Sequence, residues 1–177
     1  MIEIYTDGSA LDNGSENCGG GWGVCALVQD EKSEADIRID KMLWGRDDYT
    51  TNNKMELIAL LNALKLTQTD YIQEQCVIKS DSAYCVNMFN EWIYSWQKRG
   101  WVRPKNQEIK NLDLVKKIWN YCTIDYPNFR VEKVKGHSTV LGNNIADCLA
   151  TNSLTKLAKI LEENNIENPI LEKIDSQ

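Results

Sequence analysis

The hydrophobic period of this chain first changes near residue 52, and that change restricts its fold more than any other feature. Before it, Ile2, Ile4 and Thr6 alternate with Glu3 and Tyr5, and two further β-like runs follow, Trp22 to Val28 and Ile37 to Leu43, separated by the charged turn Asp30-Glu31-Lys32. A two-residue period puts alternate side chains on opposite faces of a sheet, so this region reads as a three-stranded antiparallel meander. After it, Met55, Ile58, Leu61 and Leu64 recur every three residues along one helix face, with Thr51 or Asn52 as N-cap.

Cys76 to Lys79 then reads as a short strand ending at Ser80-Asp81. Helices are predicted from Ser82 towards Asn90 and over Glu91 to Gln97, before Gly100 and Pro104 break the pattern into a basic loop. Leu112, Val115, Ile118, Trp119 and Cys122 mark another helix, Phe129 to Val134 a fifth strand, and a last amphipathic helix runs from about Asn144 through Leu161, with Ile145, Leu149, Leu157 and Ile160 facing the core. The order βββαβα, basic loop, αβα predicts an α/β fold: a five-stranded mixed sheet, its first three strands antiparallel, flanked by helices that carry the crossovers. With 177 residues, 42% of them hydrophobic, one domain is expected, residues 1–162, followed by a C-terminal tail, residues 163–177.

Composition narrows the setting. The six cysteines, at positions 18, 25, 76, 85, 122 and 148, show no C-x-x-C spacing, and the N-terminus has no basic region followed by an apolar stretch. A soluble, cytoplasmic, monomeric protein is expected. The net charge of −6 argues against a chain that simply coats nucleic acid. Positive charge is nevertheless concentrated between residues 98 and 117, where Lys98, Arg99, Arg103, Lys105, Lys110, Lys116 and Lys117 face only Glu108 and Asp113.

Four acids, Asp7, Glu56, Asp81 and Asp147, fall where a strand meets a turn or a helix begins. The predicted topology brings Asp7 and Asp81 to the ends of neighbouring strands, and helices carry Glu56 and Asp147 to the same sheet edge. Carboxylate oxygens are hard ligands suited to Mg²⁺ or Mn²⁺. Two such ions clamp a phosphodiester in line, activating water on one side and stabilising the leaving oxygen on the other. His137, the only histidine, follows the fifth strand in the Gly-containing loop Val134-Lys135-Gly136-His137, where an imidazole can carry a proton. Asn143 and Asn144, between it and Asp147, are placed to orient water. Taken singly, each acid also reads as an ordinary cap or surface charge.

The segments Thr6-Asp7-Gly8-Ser9, Thr51-Asn52-Asn53-Lys54-Met55-Glu56-Leu57, Ser80-Asp81-Ser82-Ala83-Tyr84 and Val134-Lys135-Gly136-His137, with Asp147 ten residues later, occur in this order over residues 1 to about 155. Together they resemble type 1 ribonuclease H. The resemblance implies the ribonuclease H-like fold and hydrolysis of the RNA strand of an RNA–DNA hybrid with two Mg²⁺ ions, giving a 3′-hydroxyl and a 5′-phosphate. It implies that Asp7 bridges the metals, that Asp147 completes the site of the water-activating ion, that Glu56 and Asp81 hold the other, and that His137 aids proton transfer or product release. It further implies that Asn52 and Asn53 reach into the minor groove, that Glu56 accepts a hydrogen bond from a 2′-hydroxyl, and that Thr51 and Asn111 grip a phosphate of the DNA strand. Their alternative reading is as N-caps of the helices beginning at 52 and 112.

Trp92, Trp96 and Trp101, with Lys98, Arg99, Arg103 and Lys105, resemble the basic protrusion of many bacterial members of that family. Trp92 and Trp96 read as a packed helix face, and Trp101 beside Gly100 as the better candidate for substrate contact. Two departures stand out. The segment from Asn13 to Gly21 lacks the usual prolines and is longer, leaving either Asn13 or Asn17 in the substrate-contacting place. Ala83 replaces a frequent groove-contacting glutamine, while Asn87, one turn later, retains a second contact. A hybrid-binding module without catalysis, and an integrase-like, transposase-like or resolvase-like chemistry on the same fold, are the alternative readings.

Overall fold

The N-terminal alternation forms β1 (Ile2–Ala10), β2 (Gly20–Gln29) and β3 (Ile37–Asp47), an antiparallel meander in which β1 and β2 pair from Ile2 opposite Val28 to Ala10 opposite Gly20, and β2 and β3 from Gly20 opposite Asp47 to Gln29 opposite Ile37 with a bulge that shifts the register between Ala26 and Leu27. The structure, a computed structural model, describes residues 1–11, 19–29, 37–135, 140–166 and 170–174. Beyond the meander, α1 (Asn52–Gln68) crosses over to β4 (Cys76–Ser80), which lies parallel to β1 with Ile2 beside Cys76 and Thr6 beside Ser80. β5 (Phe129–Lys133) lies parallel to β4.

The sheet divides two cores because side chains alternate across it. Ile4, Val24 and Leu43 face α1 and pack with Met55, Leu60 and Leu64. Tyr5, Cys25 and Met42 face the opposite way and pack with Ile145 and Leu149 of α5 (Leu141–Ala150). Burying an aliphatic side chain contributes about 1.5–3 kcal/mol, and α1 fully buries Met55, Leu57, Leu60 and Leu64, so this helix is held chiefly by its apolar face. Thr51 caps it, its hydroxyl accepting from the Lys54 amide at 3.3 Å.

Three elements differ from the sequence expectation. The sheet has six strands, in the order β5-β4-β1-β2-β3-β6, because β6 (Leu171–Lys173) joins parallel to the free edge of β3. Backbone bonds from Met42 N–H to Ile170 and from Ile174 N–H to Trp44 hold it, and Lys173 lies over the Trp44 ring. A three-residue strand exposed on every side chain has no hydrophobic alternation to read.

Residues 83–98 form one continuous helical rod: α2 (Ala83–Asn87), a π-helical turn (Met88–Trp92) and α3 (Ile93–Lys98). The wider turn shifts the register so that Met88, Phe89, Ile93 and Trp96 are all buried. After a 3₁₀ turn (Pro104–Asn106) comes α4 (Leu112–Cys122). The single C-terminal helix expected over 144–161 is instead α5 and α6 (Leu154–Glu163). Asn152 between them takes a left-handed conformation, φ 57°, while the Thr151 and Ser153 amides donate to the carbonyls of Asp147 and Cys148, both at 2.9 Å. Among the described residues, no helix is long and apolar enough to cross a membrane.

Candidate active site

Asp7 and Asp81 come side by side because each follows directly on the paired residues Thr6 and Ser80. Asp81 follows the end of β4, whereas Asp7, expected at a strand end, lies within β1, which runs on to Ala10 paired with β2. Asp7 shares a sheet face with Tyr5, towards α5, which carries Asp147. Glu56 comes from the other face, on the second turn of α1. Two glycines permit these approaches. A Cβ at Gly8 would overlap the backbone of Met55 and Glu56, and one at Gly23, which pairs with Asp7 across β1 and β2, would overlap Ala146 and Leu149 of α5. One carboxylate oxygen each from Asp7, Glu56 and Asp81 falls within 4.8 Å of the other two. Asp147 lies outside that group but lines the same cavity of about 590 Å³, with Asn52, Asn53, Asn143 and Asn144.

Burial and mutual repulsion together oppose charge on these carboxylates. Burial, followed by the charges of Asp7 and Asp81, raises the Glu56 carboxyl to about 9, although the Gly8 amide opposes the shift. Burial, then Asp81 and Asp147, raises Asp7 to about 7. Glu56 is only 7% exposed, yet its Oε2 has no hydrogen-bond partner, and neither has the buried Oδ1 of Asn143. Such unsatisfied oxygens are costly in a dry site. An all-oxygen donor set of this kind fits a hard divalent cation of the Mg²⁺ or Mn²⁺ class.

A second cleft, of about 770 Å³, is lined by Thr51, Asn53, Tyr84, Trp92, Trp96, Arg99, Arg103, Lys110 and Asn111. Asn53 lines both cavities, so the basic cleft adjoins the carboxylates. The basic loop is pinned by backbone bonds from Trp101 N–H to Trp96 and from Arg103 N–H to Gln107, both 2.8 Å. Trp101 does not line the cleft; it packs edge-on against Trp119 with Lys116 over its ring. Trp96 is buried, and Trp92, with its ring centroid 6.0 Å away, is 36% exposed. Asn87 and Lys98 are exposed and line neither cavity. Asn111 stands at the N-cap of α4 with φ 56° and makes no capping bond with its side chain, whereas Asn52 accepts from the Ala10 amide at 2.8 Å. His137, Asn13 and Asn17 lie outside the described residues.

Two residues at the site were not singled out from sequence. Lys156 of α6 lines the carboxylate cavity and donates to Asp147 at 2.9 Å, a bond that holds its ammonium above the ordinary lysine pKa. Arg46 of β3 donates to the carbonyls of Ala150 and Leu149, at 2.9 and 2.6 Å, fastening the end of α5 three residues beyond Asp147. The sequence signal for Lys156 was Asn152-Ser153, a left-handed helix stop followed by a helix start.

The family model for RNase H matches residues 1–155. Similar curated proteins include "Ribonuclease H" of Caldicellulosiruptor saccharolyticus, 38% identical over 88% of this chain and 97% of that protein. "Ribonuclease H" of Acetivibrio thermocellus is 37% identical over 89% of this chain and 97% of that protein. Among solved structures, LC9-RNase H1, described as a type 1 RNase H with the type 2 active-site motif, superposes with a TM-score of 0.71 at 27% identity, covering 89% of this chain and 72% of that one. The motifs, the sheet topology and the carboxylate cluster thus meet in one place, and the chain belongs to the ribonuclease H family.

Proposed function

We propose that this ribonuclease H cuts the RNA strand of RNA–DNA hybrids without regard to sequence, using two divalent ions and leaving 3′-hydroxyl and 5′-phosphate ends. The observation that carries the reading is the convergence of one carboxylate oxygen each from Asp7, Glu56 and Asp81 within 4.8 Å of one another, with Glu56 buried and its Oε2 without a hydrogen-bond partner. Asp7, Glu56, Asp81 and Asp147 would hold the ions, Mg²⁺ with Mn²⁺ as substitute. Bound there, the ions supply a nucleophilic water at neutral pH and neutralise charge on the leaving oxygen.

The chain's own residues do the rest. Asn52 and Asn53, at the mouth of the cavity, face the wide minor groove of an A-like duplex, where 2′-hydroxyls distinguish RNA from DNA. Glu56 accepts from one such hydroxyl. Thr51 and Asn111, in the basic cleft with Arg99, hold a phosphate of the DNA strand. Lys98, Trp101 and Asn87 extend the binding surface, and His137 moves a proton at the scissile phosphate. The chain acts as a monomer in the cytoplasm.

The test is incubation of labelled RNA–DNA hybrid, duplex DNA, duplex RNA and single strands with Mg²⁺, Mn²⁺ or EDTA. Cleavage confined to the RNA of the hybrid, abolished by EDTA and by Asp7→Asn, is expected. An Asp7→Asn protein that cuts as fast as its parent would falsify the carboxylate assignment.

A further inference from the structure

Lys156 makes a contact that helix periodicity forbids. It lies nine residues beyond Asp147, and its Nζ is 2.9 Å from Asp147 Oδ2. Along an unbroken helix nine residues span about 13.5 Å and two and a half turns, which puts the two side chains apart and on opposite faces. The contact exists because the chain reverses at Asn152 and lays α6 back beside α5. Leu157, next to Lys156, is buried in the α5-side core and anchors that return.

Among the described residues that line the carboxylate cavity, Lys156 is the one cation. Asp7, Glu56 and Asp81 form the tight group, and the carboxylate that stands outside it, Asp147, is the one paired with this ammonium. The two halves of the cavity therefore differ in charge: one holds converging carboxylates, the other a carboxylate already neutralised from within the chain.

We propose that Lys156 is a positioning residue that acts as the resident counter-ion of Asp147, keeping this carboxylate paired at the cavity rim until a divalent cation displaces the ammonium. This rests on the reading of the four carboxylates as the metal-binding set. Metal binding is then ordered. The Asp7, Glu56 and Asp81 group fills first because three carboxylates converge there, and the Asp147 side, which has fewer, is weakened further by the ion pair that filling it breaks. With the Lys156 and Asp147 side chains 57% and 31% exposed, the pair is a surface one, so its loss corresponds to about a two- to five-fold change in an equilibrium constant.

The experiment is isothermal titration of Mn²⁺ into the full chain without nucleic acid, for the parent, Lys156→Met, Lys156→Arg, Asp147→Asn and the double variant Lys156→Met with Asp147→Asn. Thermal melts of the metal-free proteins check folding. Lys156→Met is expected to tighten the weaker binding event two- to five-fold, to leave the tighter event in place, and to melt within a few degrees of the parent. Lys156→Arg restores the parent isotherm, and in the Asp147→Asn background Lys156→Met has no effect. An unchanged isotherm in Lys156→Met, or a shift that persists without Asp147, overturns the counter-ion role while leaving the metal cage standing. A parent chain that takes up no Mn²⁺ overturns both.

Discussion

The metal-free site stores a pH-dependent instability that Asp7→Asn should release. In the folded protein burial, and then the charges of Asp81 and Asp147, raise Asp7 from 3.8 to about 7, so between those values the folded state holds a proton that the unfolded chain has lost. Stability therefore falls as pH rises through this window, is greatest below about 4, and levels off above about 7. At about 1.4 kcal/mol per tenfold change in proton affinity, the full penalty is about 4 kcal/mol, of which about 3 kcal/mol develops between pH 4.5 and pH 8. Asparagine keeps the shape and never ionises, and its own burial cost does not vary with pH.

The advantage of Asp7→Asn over the parent should thus grow by about 3 kcal/mol from pH 4.5 to pH 8, or about 6–12 °C in Tm for a domain of this size. Thermal melts of both proteins in EDTA at the two pH values measure it. Saturating Mn²⁺ at pH 8 should reverse the order, because ligand binding stabilises the parent by RT ln(1 + [L]/Kd) and the variant has lost a ligand. An advantage of equal size at both pH values, or none at pH 8, would refute the reasoning that Asp7 is desolvated and repelled by its neighbours.

Other predictions test other parts of the structure. Glu56, raised to about 9 by burial and then by Asp7 and Asp81, is protonated in the metal-free protein at pH 7.5, so Mn²⁺ binding should release about one proton, read from calorimetric heats in buffers of different ionisation enthalpy. Arg46→Met removes the half-buried guanidinium that donates to the Leu149 and Ala150 carbonyls, the former keeping the Asn152 amide, and should cost about 1–3 kcal/mol in a urea melt. Changing Arg99 and Arg103 to Ala should weaken hybrid binding and make its salt dependence shallower by about one to two in log–log slope, measured by fluorescence anisotropy; an unchanged slope would place the phosphates elsewhere. Truncation after Ile166 removes β6 and should lower Tm by a few degrees without changing kcat/KM for hybrid cleavage.

Legibility from sequence followed burial. The positions of Asp7 and Asp81 could be read because each follows the apolar run of a strand whose inner residues are mostly buried, Ile2 to Thr6 in β1 and Cys76 to Ile78 in β4. Glu56 could be read from the N-cap of a long helix. The edge strand Leu171–Lys173 could not, since nothing in three exposed residues records which backbone they pair with. The partition of residues 144–161 is hidden from the hydrophobic pattern, because Leu149 and Leu157 belong to the same apolar core whether the helix is broken or not, and only the pair Asn152-Ser153 signals it. The break at Asn152 is decided by one backbone conformation, and it changes the chemistry of the site by bringing Lys156 to Asp147.

That the four carboxylates come from two strands and from helices on opposite faces of the sheet ties the site to the packing of both cores. Gly8 sets the distance from β1 to α1, and Gly23 sets the distance from β2 to α5. A methyl group at Gly8 meets backbone rather than a yielding side chain, so α1 has to move away, carrying Glu56 with it. Overpacking of this kind costs about 1–3 kcal/mol, which a domain survives. A displacement of about 1 Å at a reacting centre is enough to cost about a hundredfold in rate. Gly8→Ala should accordingly remain folded, with a Tm lower by some 2–12 °C, yet lose most of its hybrid cleavage and bind Mn²⁺ more weakly. If Gly8→Ala kept full activity while losing that much stability, the close approach of β1 to α1 would be a packing feature with no bearing on where Glu56 stands.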